Sequence, residues 1–174
     1  MIGRGGFLAG MFAVILAGLP GLSVASGTTE RIDGILAADP APPGIVFDIM
    51  TPEADALDRL LPEIEGWVDY IRDRAPGMDL VVVAHGNEMF ALKEDQAFIH
   101  EAAHESAARL VAGGIEVAVC GAYANMRQVD WNAFIDPVVV AESGPARVND
   151  YRALGYEVVF VGDPNYTPRP IPVD

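Results

Sequence analysis

Cysteine is nearly absent from this chain of 174 residues: Cys120 stands alone, so no disulfide can form within one copy. Basic residues are scarce as well. Lys and Arg total 11 against 25 Asp and Glu, a formal net charge of -14, and a field of that sign repels phosphate backbones and anionic lipid headgroups. Nucleic acid is therefore disfavoured as a partner. Apolar residues make up 51% of the chain, and at this length that composition fits a single domain with a real buried core better than two small ones.

The first residues, Met1-Ile2-Gly3-Arg4, precede an uncharged apolar run from Gly5 to Leu22 that closes on Ser23-Val24-Ala25-Ser26. A short positive start, an apolar middle and small residues before the cut describe a secretory signal, with cleavage expected after Ala25. Residues 1–25 are thus read as a signal peptide, and the destination as periplasmic or secreted. The competing reading is an uncleaved anchor, since the run approaches bilayer-spanning length; Pro20 and Gly21 interrupt its second half. The membrane is a partner only through that uncleaved segment.

Residues 26–44 are polar and then rich in Pro and Ala, a composition that predicts a flexible linker. Beyond it, Ile45-Val46-Phe47-Asp48-Ile49 has strand length, and Thr51-Pro52-Glu53 carries helix-start chemistry. Leu57, Leu60, Leu61, Ile64, Val68 and Ile71 recur at three- and four-residue steps and predict one helix with one buried face, with Pro62 as a kink or a second start. Leu80 to Ala84 and Ile115 to Val119 are unbroken apolar runs, as strands covered on both faces require. Gln96 to Ala112 reads as a helix with Ile99, Ala102, Ala103, Ser106 and Leu110 inward. Val138 to Val140, a helix from Ser143-Gly144-Pro145 to Leu154, and a strand from Glu157 to Val161 complete the pattern.

Such alternation predicts an α/β domain over residues 45–162: a flavodoxin-like three-layer sandwich with a mainly parallel sheet of about five strands and helices on both faces. Residues 163–174 read as a proline-rich tail. In these sheets the functional site lies outside the carboxyl ends of the strands. Both His85 and Cys120 occupy such ends.

Taken together, Val81-Val82-Val83-Ala84-His85-Gly86, the strand ending in Cys120, Ser143-Gly144 and Tyr151-Arg152-Ala153-Leu154-Gly155-Tyr156 resemble the DsrE/DsrF sulfur-relay family. The resemblance implies a small α/β protein, commonly a homo-trimer or hexamer, that needs no cofactor and holds persulfide sulfur on the cysteine between an unidentified donor and acceptor. It maps the sulfur-bearing cysteine onto Cys120, the strand-end histidine and glycine onto His85 and Gly86, and the start of the last helix onto Ser143 and Gly144. After the cysteine the family pattern is small and polar. This chain instead has Gly121-Ala122-Tyr123.

Sulfur carriage needs a reachable thiolate. Gly121 leaves space beside Cys120, His85 ends the neighbouring run, and Arg127 is expected to approach one or two turns later. The alternative is a non-catalytic binding or assembly module in which Cys120 is a small structural hydrophobe. A third reading comes from His100-Glu101-Ala102-Ala103-His104, the spacing at which two helical histidines bind zinc beside a glutamate base; it predicts a zinc hydrolase only with a third ligand. His85 is read either as a donor to the thiol or as a loop-bonding residue. Trp131 and Phe134 are expected either to shield the site or, the preferred reading, to pack at a subunit contact, and Asp48, Glu53, Asp55 and Glu63 are expected as solvated charge.

Overall fold

The computed structural model describes residues 22–163, 165 and 166. Five strands, β1 (Gly44–Met50), β2 (Asp79–Ala84), β3 (Glu116–Cys120), β4 (Val139–Ala141) and β5 (Glu157–Gly162), form one sheet in the order β4-β3-β2-β1-β5, and every neighbouring pair is parallel. Five α-helices accompany them: α1 (Leu22–Leu36), α2 (Leu57–Arg74), α3 (Glu101–Ala112), α4 (Gly121–Met126) and α5 (Gly144–Ala153). This is the three-layer α/β, flavodoxin-like arrangement.

The strand order explains the layers. From β1 to β3 the chain steps in one direction across the sheet, and from β4 to β5 it returns to the far side of β1. Right-handed crossovers put helices of opposite stepping direction on opposite faces. Accordingly α2 and α3 pack on one face with α1 beside them, around Ile32, Phe47, Leu61, Ile64, Val82, Leu110 and Val117. On the other face α5 covers Val46, Val81, Val83 and Ala118 through Val148.

The apolar stripe of α2 is buried at all six expected positions, and Pro62 lies inside an unbroken helix. Its start differs from expectation. Thr51 Oγ1 accepts from the Glu53 amide at 3.3 Å within a local turn, and the helix begins at Leu57. The helix α3 likewise begins later than its pattern suggested, at Glu101, after two 3-10 turns over Asn87–Leu92 and Glu94–Gln96. Ile99 therefore precedes the helix and is 68% exposed. Ala102 is exposed too, and the inward stripe is Ala103, Ser106, Ala107 and Leu110.

The expected linker also differs. Within residues 26–44, the stretch to Leu36 belongs to α1, because Ile32 and Ile35 are one turn apart and both are buried in the main core. An Arg31–Glu157 ion pair at 2.6 Å and a hydrogen bond from Tyr70 to Asp33 fasten the helix to β5 and α2. The signal-peptide reading falls mainly on residues 1–21, outside the described residues, and most of the proline-rich tail lies there as well.

Candidate functional site

Side chains along a strand alternate between the two faces of a sheet. Val46 on β1, Val83 on β2 and Ala118 on β3 all point toward α5, so the residues two positions on, Asp48, His85 and Cys120, share that face. The register sets Ala84 opposite Val119, so His85 and Cys120 end adjacent strands side by side, whereas Asp48 lies opposite Val83, one side-chain step earlier on β1, and is met by His85 on the diagonal. His85 Nε2 is 2.6 Å from Asp48 Oδ1, and their side chains are only 8% and 17% exposed. Asp48 is thus the imidazole's partner rather than a solvated charge. His85 is fixed across the sheet by that carboxylate.

The first turn of α5 closes over the row. A Cβ on Gly144 would stand 2.5 Å from His85 Cβ and 3.2 Å from Cys120 Cβ, so the roots of the two side chains meet beneath a bare stretch of backbone. Only glycine permits that approach. Ser143 caps α5, its Oγ accepting from the Ala146 amide at 3.4 Å. Cys120 is 3% exposed. Its Sγ accepts from the Tyr123 amide at 3.3 Å and so caps the short α4.

A second buried group, Glu88, escaped the sequence reading. It is fully buried, with Oε1 accepting from the Gly86 amide at 2.8 Å and Oε2 from the Thr51 amide at 2.9 Å. The carboxyl thereby clasps the loops that leave β2 and β1. Burial pushes it up to about 7, against the downward pull of the Gly86, Thr51 and Glu88 amides and of the nearby His85. Gly86 is required beside it, since a Cβ there would strike Glu88 Oε2 and come within 2.6 Å of the Thr51 amide nitrogen.

The remaining predicted residues divide. Gly121 packs under the Trp131 ring, whose Nε1 donates to the Gly121 carbonyl at 3.3 Å and to Asn125 at 3.0 Å. Phe134 turns inward, 4% exposed, and stacks with Phe90. Arg127 is not bonded to Cys120. Its guanidinium donates to Tyr123 Oη at 3.3 Å and Asn87 Oδ1 at 3.5 Å, beside a cavity of about 460 Å³ at the same end of the sheet.

The two histidines of the H-E-x-x-H stretch look in different directions. His100 Nδ1 lies 2.7 Å from Asp58 Oδ2, His104 Nε2 is 2.8 Å from the Ala91 carbonyl, and Glu101 is exposed. Among the described residues no group of three or more His, Cys, Asp or Glu side chains converges on a metal-sized site.

No family model matches the chain, and no curated protein matches it. Among solved structures it is similar to a protein of unknown function from Methanobacterium thermoautotrophicum, with a TM-score of 0.55 and 18% sequence identity over 67% of this chain and 97% of that one. At that identity the likeness is one of fold alone.

Proposed function

We propose that the chain is an exported, homo-oligomeric thiol-handling protein of the DsrE/DsrF type, in which Cys120 carries sulfane sulfur from a donor to an acceptor. The observation that supports it is the set Asp48, His85 and Cys120: a carboxylate orients an imidazole whose Cβ adjoins that of the cysteine under Gly144, the order in which nucleophiles are activated. With Nε2–H donated to Asp48, Nδ1 of His85 is left as a proton acceptor. It takes the Cys120 proton, and the thiolate attacks the terminal sulfur of a persulfide R–S–SH. The donor's S–S bond breaks, its electron pair leaves on R–S⁻, and that thiolate takes the proton from His85. The products are Cys120–S–SH and R–SH, a redox-neutral exchange without a cofactor. Because the thiol is 3% exposed, the donor reaches it only when Ser143-Gly144 lifts from the row.

The same burial favours a second reading, a binding or assembly module in which Cys120 is packed as a helix cap and does no chemistry. Intact-mass measurement after incubation with polysulfide separates the two. Relay predicts an added sulfur atom or atoms, lost in Cys120→Ser and acquired at least tenfold more slowly in His85→Gln. An unchanged mass over hours, with native circular dichroism, leaves the structural reading. Export predicts a mature N-terminus at Ser26 on periplasmic material, which would trim α1 by its first turn and keep the docked Ile32 and Ile35. Light scattering of that material reads the trimer or hexamer.

A further inference from the structure

The cavity beside Arg127 is distinct from the Cys120 row and is built from four separate segments at the carboxyl edge of the sheet. Pro52 follows β1, Asn87 follows β2, Tyr123 and Arg127 lie on or beside α4, and Asp163 and Tyr166 follow β5. Its volume of about 460 Å³ lies within the range of small-molecule sites. Edges of this kind are where parallel α/β sheets bind ligands.

The lining specifies a charge pattern. Arg127 is half-buried, and its guanidinium is held between the Phe90 and Tyr123 rings with centroids 5.8 and 5.9 Å away. Among the described residues no carboxylate lies within ion-pair distance of it, and its bonds to Asn87 and Tyr123 are long contacts to neutral oxygens. A guanidinium so oriented, with most of its donors uncommitted, suits a bidentate carboxylate. Tyr166 Oη sits 3.3 Å from Tyr123 Oη, and burial raises its ionisation well above the ordinary phenol range, so it stays a donor. Asp163 supplies the opposite charge. Its Oδ1 accepts from the Asn165 amide at 2.8 Å, and with a net charge of -14 it disfavours any ligand that is anionic overall.

We infer that this cavity binds a small zwitterion of amino-acid type, with the ligand carboxylate on Arg127 and the Tyr166 hydroxyl, its ammonium toward Asp163, and its side chain against Tyr123 and Pro52. The site stands independently of any chemistry at Cys120. Titration calorimetry of the full chain with L-alanine, L-glutamine and L-leucine tests it, with 4-methylpentanoate and isoamylamine as leucine analogues that lack the ammonium and the carboxylate. At least one amino acid is expected to bind, and leucine to bind at least tenfold more tightly than either analogue. Arg127→Met and the milder Arg127→Lys should each weaken amino-acid binding by tenfold or more, while Asp163→Asn should narrow the gap between leucine and 4-methylpentanoate. Circular dichroism checks that each variant is folded. No heat with any of the three amino acids, equal binding of 4-methylpentanoate and leucine, or undiminished binding by folded Arg127→Lys would each overturn the assignment.

Discussion

The face of the sheet under α1, α2 and α3 is continuous apolar packing, from Ile32 through Phe47 and Leu61 to Leu110, whereas the face under α5 has a fully buried core of five small residues: Val46, Val81, Val83, Ala118 and Val148. The first face has its buried polar groups at helix level, Thr28 on α1 and Ser106 on α3, the latter donating to Glu65 at 2.7 Å. The second carries polar chemistry directly on its strands, with Asp48 and His85 in line with the valines. The difference shows how this fold divides its labour. Stability is concentrated where three helices meet the sheet, and the thinner layer tolerates charged side chains because a polar row at a strand end interrupts little apolar surface.

The contrast can be broken most forcefully on the thick side. Phe47 is fully buried and stacked on Trp67 with centroids 5.9 Å apart, so Phe47→Ala is expected to lose about 3–5 kcal/mol in urea unfolding. Val148→Ala on the thin side removes less apolar surface and should lose under half of that. A comparable loss from the two would mean that the faces share the load.

Glu88 tests the boundary between stability and site. Its folded-state ionisation lies near 7, above the ordinary value of 4.5, so the folded chain holds this proton more tightly than the unfolded one does. The stabilisation is fully present below about 4.5 and is lost as pH rises through about 7, a change on the order of 3 kcal/mol. Unfolding of the wild type and of Glu88→Gln at pH 5, 6 and 7.5 should show this slope in the first and not in the second. The variant is also weaker at every pH, since an amide nitrogen then faces a backbone N–H.

Gly144 sharpens the comparison next. Gly144→Ala puts a methyl 2.5 Å from His85 Cβ, and overpacking of this kind costs about 1–3 kcal/mol. If polysulfide uptake by Cys120 changes in step with that loss, the thin face is governed by how α5 seats. The smallest effect belongs to the exposed Arg31–Glu157 pair: Arg31→Ala should shift stability by no more than about 1 kcal/mol, and less in salt.

How far the molecule was legible in sequence follows from which patterns are local. All six stripe residues of α2, from Leu57 to Ile71, and the unbroken apolar strands declared themselves, because a three- and four-residue step and continuous apolar runs are written along the chain. Ile99 was misplaced because the apolar period runs on through residues 97–100, which fold as turns, while the carboxylate that accepts from the Ala103 amide in the first turn of α3 is Asp58 on α2. The reading of Asp48 as solvent charge failed for a different reason. Its partner is 37 residues away, and the pairing exists only once β1 and β2 are in register. The available signal was parity: Asp48 lies two residues after Val46, as His85 lies two after Val83 and Cys120 two after Ala118. Glu88 carried no comparable mark, since a lone acid after a strand reads as surface until two loops wrap around it.

One consequence of the bare backbone at Gly144 concerns motion. Because a side chain at Gly144 would meet both His85 and Cys120, a shift of α5 changes the cover of both together. An opening of α5 thus uncovers the base of the ring and the base of the thiol in one displacement, while Asp48 keeps its hold on the imidazole from β1.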